Sequence, residues 1–322
     1  MSTITGLHHV TCISGDAQEN IDFYVGLLGM RLVKRSVNQD DPGTYHLFYA
    51  DGEGHPGSDL TFFPWKNMPR GRRGTGLTNE VSLAVPAGAL GFWADRLQSH
   101  GVTIERSVRF GESTLTFEDP HGLVVSLVET ADPREFTPWA DSPVAEEHQV
   151  RGLHSVRIAE RELAPTIQFL TEGMGLSKIA EENGWQRWAV AGKGGSGRVI
   201  DLQEQPNERR GTWGVGSVHH VAWRVPDDAA ERAAQSQVFS AGAQPTEVID
   251  RFWFKSVYFK EPGGALFEIA TDGPGFGIDE NAATLGEHLV LPPFLEAHRA
   301  EIERRLPPIT LPHLKPASTS GD

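Results

Sequence analysis

One cysteine, Cys12, is all that the 322 residues contain, which excludes an intramolecular disulfide framework and any cysteine-based metal cluster. A bound metal must therefore be held by histidine and carboxylate. Cys12 itself lies beside a strand-like run and is expected to be buried and structural rather than nucleophilic. Long hydrophobic runs are missing too: the apolar stretch from Leu123 to Val128 is strand-length and falls far short of the ~20 residues of a membrane helix. The sequence opens without a basic segment followed by an apolar one, so cytoplasmic residence is expected. Basic charge is scarce, with 29 Lys and Arg against 43 Asp and Glu and a formal net charge of -14. No basic stripe offsets this, so neither nucleic acid nor an anionic membrane is an expected partner. Arg70, Arg72 and Arg73, interleaved with glycines, read as a solvated loop.

What is present is internal repetition. Gly6-Leu-His-His-Val-Thr11 opens a strand. Ala17 to Leu28 then carries apolar residues at helical spacing up to Gly29, and strand-like runs follow at Arg31 to Val37, Tyr45 to Ala50 and Asp59 to Phe63. That is one βαβββ module. The pattern restarts at Gly152-Leu-His-Ser-Val-Arg157, with a helix expected over Leu163 to Glu172 and a Gly-Met-Gly-Leu turn that matches Gly29-Met-Arg-Leu32. Two further modules pair in the same way. Glu80-Val-Ser-Leu-Ala-Val-Pro86 corresponds to His220-Val-Ala-Trp-Arg-Val-Pro226, and Phe117-Glu-Asp-Pro-His-Gly122 to Phe259-Lys-Glu-Pro-Gly-Gly264, where a Pro-x-Gly turn feeds the final strand.

The expected architecture is therefore α+β, with four βαβββ modules. Residues 1–135 form a first domain of modules 1 and 2, 136–150 a linker rich in Pro, Asp and Glu, and 151–275 a second domain of modules 3 and 4. Residues 276–322 form a tail with a helix expected to about Leu306, too short for its own core and expected to pack over the modules or a partner subunit.

A position that is special in one copy and bland in another does not serve the fold. At the second histidine of the opening strand the modules carry His9, Glu80, Ser155 and His220 in turn. On the final strand, Glu268 in module 4 corresponds to Ser126 in module 2, and a carboxylate in such a strand is costly unless paired or metal-bound. Two neutral imidazoles and a carboxylate on neighbouring strands form a facial triad, which leaves positions open for substrate and dioxygen and suits Fe(II), with Mn(II) as an alternative occupant. Glu80 is expected to be a solvated or edge residue, and His121, in the turn matching Gly263, is expected to be exposed. Trp185, Trp188, Trp223 and Trp253 are candidates for an aromatic pocket, although most are expected in core packing.

Leu7-His-His-Val-Thr11, Val218-His-His-Val-Ala222 and Gly264-Ala-Leu-Phe-Glu-Ile-Ala270 resemble the metal strands of hydroquinone-type ring-cleaving dioxygenases in the vicinal oxygen chelate superfamily, which also holds glyoxalases, bleomycin-resistance proteins and extradiol dioxygenases. The likeness extends to Leu-Pro-Pro-x-Leu-Glu-x-His-Arg at Leu291 to Arg299. It implies the vicinal-oxygen-chelate fold, an Fe(II) centre on His9, His220 and Glu268, and supporting roles for His8, Thr11, His219, Arg251 and Tyr258. Substrates would be a small aromatic diol and O2, and a homo-oligomer is expected. Strand alternation points His8 and His219 away from their neighbours unless the strands are bulged, whereas Thr11 should share the direction of His9. Tyr258 and Arg251 are suited to hydrogen-bond a developing anionic oxygen. Two other activities use the same fold: a glyoxalase-like isomerase, which needs a fourth protein ligand, and a non-enzymatic small-molecule binding protein.

Overall fold

A computed structural model describes residues 3–312, so the end of the expected tail, 313–322, lies outside the described residues. Module 1 contributes β1 (Gly6–Ser14), β2 (Arg31–Asn38), β3 (Asp41–Ala50) and β4 (Asp59–Pro64), and module 2 contributes β5 (Leu77–Pro86), β6 (Glu105–Arg109), β7 (Glu112–Glu118) and β8 (Val124–Thr130). Module 3 contributes β9 (Gly152–Glu160), β10 (Leu176–Glu182), β11 (Trp185–Val190) and β12 (Val199–Glu204), and module 4 contributes β13 (Ser217–Val225), β14 (Ile249–Asp250), β15 (Lys255–Lys260) and β16 (Leu266–Thr271).

The strands form two eight-stranded sheets, ordered β14-β15-β16-β13-β1-β4-β3-β2 and β10-β11-β12-β9-β5-β8-β7-β6. Module 1 thus shares a sheet with module 4, and module 2 with module 3. Each sheet therefore joins one module from either side of the expected domain boundary. Each module buries its opening strand by pairing it antiparallel with that of a partner, β1 with β13 and β5 with β9. For module 1 the partner is the distant module 4, and for module 2 it is the next module along the chain.

These central pairings carry the bulges on which the site depends. Between β1 and β13 the register runs Leu7 to Trp223 and then His9 to Ala222, leaving His8 as the extra residue; on the other strand Thr11 faces His220 and Cys12 faces Val218, leaving His219 extra. The second sheet repeats both bulges, at Asn79 and His154. A bulged residue loses strict alternation, so His8 and His219 stay beside His9 and His220 instead of crossing to the opposite face.

Module 1 departs from the expected single helix. Ala17–Ile21 is α-helical (α1), capped by Asp16 Oδ1 accepting from the backbone N–H groups of Gln18 and Glu19, and Asp22–Leu27 continues as a π-helix. Gly29, at φ 67°, ends it in the left-handed conformation that favours glycine. The other modules hold α2 (Leu90–Ser99), α3 (Leu163–Glu172) and α4 (Asp228–Ser240). Their apolar faces and the sheet faces beneath make one continuous core, with Trp93, Trp223, Phe62 and Phe267 wholly buried. Cys12 is buried in it, as expected. The tail adds a short helix, α5 (Arg299–Arg305). It docks on the first sheet through Lys34, whose buried ammonium pairs with Asp279 at 2.8 Å and with Glu280. No helix of the described residues is long and apolar enough to cross a membrane.

Where the two sheets meet, Glu160 at the end of β9 faces Glu261 in the turn after β15. Thr166 Oγ1 donates to Glu261 Oε2 at 2.7 Å, and a Cβ on Gly263 would overlap the Glu160 carboxyl at 2.0 Å. Burial first, and Glu261 second, push Glu160 from 4.5 up to about 8. The folded protein therefore retains a proton that the unfolded chain releases between those values, and stability falls as pH rises through this window. Glu160→Gln is expected to raise the unfolding midpoint at pH 8.5 and to flatten the loss between pH 5 and pH 8.5. Denaturant titrations followed by circular dichroism at both pH values check this.

Candidate metal centre

Three adjacent strands of the first sheet bring together His9 on β1, His220 on β13 and Glu268 on β16. Their ligand atoms lie within 4.8 Å of one another, and all three residues are buried. His220 Nε2 stands 2.9 Å from Glu268 Oε2; His9 Nε2 is 3.3 Å from the same oxygen and 3.2 Å from His220 Nε2. Glu268 Oε1 accepts from Ser256 Oγ at 2.5 Å, whereas no well-directed hydrogen bond from the described residues reaches Oε2.

Hydrogen bonds behind the cluster decide the state of His9. His8 Nε2 lies 3.1 Å from the Thr271 carbonyl, which only accepts, so that nitrogen carries the proton. Burial, and His9 after it, drive His8 from 6.5 down to about 3, so its ring is neutral and its Nδ1 is a lone pair. The 2.9 Å contact between the two Nδ1 atoms then requires His9 Nδ1–H to donate. His9 Nε2 is thereby the nitrogen that faces the carboxylate, and it presents a lone pair there whenever the ring is neutral. The same contact recurs at 2.8 Å between His219 and His220, and burial also takes His219 to about 3. His219 is held in place by stacking on Trp213, with centroids 4.7 Å apart and planes 14° from parallel.

With the ring neutral, that lone pair and the buried carboxylate repel, and a cation between them, proton or metal ion, removes the conflict. Donors about 2.1 Å from one ion on neighbouring octahedral positions stand about 3 Å apart, which matches the spacing of this cluster. Burial raises the Glu268 pKa, but His9 and His220 outweigh it and hold the carboxyl well below its usual range, in the ionised form that a ligand needs.

The cluster borders a cavity of about 380 Å³, mouth included, lined by His9, His220, His46, Arg251, Tyr258 and Trp253 among others. Phe48, Phe63 and Phe254 supply its apolar wall. Arg251 pairs with Asp40 at 3.0 Å and lies over the Tyr258 ring, 5.4 Å from its centroid. Tyr258 meets His220 edge-on at 5.5 Å. Burial, with Glu268 next, raises the Tyr258 pKa, so its hydroxyl keeps its proton. A wider cleft of about 1970 Å³ runs along the second sheet past Glu80, Arg109 and Thr116. It contains none of the three ligands.

A match to the Glyoxalase/Bleomycin resistance protein/Dioxygenase superfamily covers residues 6–127 and 152–269, the four modules in two pairs. The chain belongs to this superfamily. MhqO of Bacillus subtilis (strain 168), named as a candidate ring-cleaving dioxygenase, is 42% identical over 309 residues, spanning 96% of this chain and 98% of that protein. The chlorohydroquinone/hydroquinone 1,2-dioxygenase of Sphingobium indicum is 35% identical over 312 residues, spanning 94% and 96%. A crystal structure of a candidate dioxygenase from Bacillus subtilis superposes with a TM-score of 0.92 at 42% identity, covering 97% of this chain and 99% of that one. Maize glyoxalase I superposes at 0.62 with 16% identity, over 83% and 92%, and shares the fold.

Of the residues expected to support the centre, Arg251 and Tyr258 line the cavity, while His8 and His219 sit behind the ligands. Thr11 is also set back, its Oγ1 2.7 Å from Thr61 Oγ1. Two residues in the site escaped the reading of the sequence: Ser256, two positions before Tyr258, and His46 on β3. Of the four tryptophans only Trp253 reaches the cavity; Trp188 and Trp223 are core residues, and Trp185 stacks on Arg157 in the second sheet. Glu80 is neither solvated nor on an edge strand, since β5 lies between β9 and β8. It is buried among cations, 3.5 Å from Arg157 and 2.5 Å from Arg109, and accepts from Ser126 at 2.5 Å. His121 is buried as well, at 5% exposure, because its turn tucks against Gly15 and Gly216. Replacing His8 by Phe removes the partner that fixes the His9 tautomer, and metal affinity is expected to fall about 10- to 100-fold. Competition with a chromogenic chelator measures this.

Proposed function

We propose that this chain is an Fe(II)-dependent ring-cleaving dioxygenase acting on hydroquinone-type aromatic diols. The observation that carries the reading is the buried His9–His220–Glu268 cluster, with a carboxylate oxygen that no well-directed hydrogen bond reaches, opening on a pocket walled by aromatic side chains. The two relatives named as ring-cleaving and hydroquinone dioxygenases support it along nearly the whole chain. His9, His220 and Glu268 would hold the ion, and bound Fe(II) supplies the one-electron chemistry that lets dioxygen react with a diol. In the overall reaction the ring bond beside one hydroxyl-bearing carbon breaks, and both oxygen atoms end in the product.

The remaining work falls to the chain's own side chains. Phe48, Phe63 and Phe254 grip the ring and keep water out. The Tyr258 hydroxyl donates to an oxygen that becomes anionic, and the Arg251 guanidinium, anchored by Asp40, adds its charge at the same wall. Ser256 holds one oxygen of Glu268 and thereby turns the other toward the ion. An isomerase of this fold, which would need a fourth carboxylate, fits less well, because β4 carries Thr61 at the place that Glu268 occupies on β16.

Anaerobic reconstitution with Fe(II), followed by oxygen uptake with hydroquinone, methylhydroquinone, chlorohydroquinone and catechol, tests the reading. One O2 consumed per hydroquinone is expected. Turnover of hydroquinones without oxygen uptake, or failure to bind iron, overturns it. Glu268→Gln is expected to abolish metal binding, and Tyr258→Phe to lower kcat about 100-fold while iron content stays unchanged.

A further inference from the structure

His46 has no part in the centre as described, yet it occupies the same cavity. Its ring is clamped between Phe48 and Phe63, with centroids at 3.8 and 4.5 Å. Nε2 lies 2.9 Å from Thr61 Oγ1, which lies 2.7 Å from Thr11 Oγ1. Among the described residues nothing pairs with Nδ1. An oriented imidazole with one nitrogen tied and the other free is a hydrogen-bonding group without a partner inside the protein.

The repeats show that the fold does not need a histidine there. Phe48 faces Thr61 across β3 and β4 as Tyr258 faces Glu268, Thr116 faces Ser126 and Arg187 faces Asp201. Two residues before each stand His46, Ser256, Thr114 and Trp185. In module 4 this position serves the ligand, Ser256 donating to Glu268. In module 1 the ligand place holds Thr61, so His46 is held from behind and its far edge is released into the cavity. The sheet order sets β3 and β15 on opposite sides of the β1, β13 and β16 floor, so His46 and Tyr258 are opposite poles of the pocket.

We infer that His46 Nδ1 binds the second hydroxyl of the diol, the one remote from the Tyr258 pole, and so makes the site selective for two-oxygen rings over single phenols. The assignment rests on the diol reading above. Burial keeps His46 well below 6.5, so the ring is neutral, with one donor and one acceptor nitrogen. The two threonine hydroxyls rotate freely enough to serve either tautomer. His46 can therefore donate to an ether-like oxygen or accept from a hydroxyl proton without any charge being created in the pocket. Thr11, expected from the family resemblance to support the metal, acts on this account through Thr61 on the substrate end.

Hydroquinone and its methyl isostere 4-methylphenol, titrated calorimetrically and anaerobically into the Fe(II)-loaded protein, separate this role from a structural one. The wild type is expected to prefer hydroquinone about tenfold, the equivalent of one good hydrogen bond. His46→Phe should erase the preference and leave 4-methylphenol affinity unchanged, while His46→Asn, whose amide falls on the place of Nδ1, should restore most of it. A preference that survives His46→Phe, or an equal weakening of both ligands, overturns the assignment. If the wild type takes up no oxygen yet loses its diol preference in His46→Phe, the ring-cleavage reading fails and this one stands.

Discussion

Three buried donor atoms held within 3.3 Å of one another are the constraint around which the first sheet is organised. Placing a carboxylate against a bare imidazole nitrogen in an apolar interior costs several kcal/mol without a cation. The surrounding structure sustains that arrangement by leaving the ligands little freedom. Ser256 fixes one oxygen of Glu268, His8 fixes the tautomer of His9, Trp213 holds His219 behind His220, and two bulges place these supports beside the ligands. None of these contacts is strong alone. Together they preorganise a site, which lowers the free energy a binding ion must supply.

The second sheet shows what the same scaffold does without that constraint. Its bulges carry Asn79 and His154, and the three ligand places hold Ser155, Glu80 and Ser126. Glu80 is neutralised by Arg109 and Arg157, and Arg187 binds Asp201 through two contacts, at 2.8 and 3.1 Å. His154 Nε2 turns to Glu112 at 3.0 Å. Each of these charges finds an opposite charge from the protein itself. In the first sheet Glu268 retains an oxygen with no well-directed hydrogen bond, and that contrast locates the chemistry more sharply than cavity size does, since the larger cleft lies along the second sheet.

Much of this was legible in the sequence because repetition supplied its own control. Ser155 and Ser126 identified His9, His220 and Glu268 as dispensable to the fold, and alternation flagged the bulges as the condition for His8 and His219 to share the site. What was hidden is long-range pairing. The repeats already required modules 1 and 4 to meet at the ligands, but not that β1 and β13 pair in register across more than 200 residues, which no local pattern records. Glu80 was misread for the same reason: its neutralising arginines lie on β6 and β9, out of reach of any local window. His46 carries no motif at all, and only the register that sets it beside Thr61 reveals it.

The pairing of the first module with the fourth also has a consequence in time. A growing chain makes His9 within its first strand, but Glu268 emerges only on the order of tens of seconds later at ordinary rates of synthesis. Until then β1 has β4 on one side and, late in synthesis, β13 on the other, but the ligand set is incomplete. The second and third modules, adjacent in the chain, can pair meanwhile and serve as the platform on which the outer two close. The complete ligand set therefore exists only once the fourth module has been made.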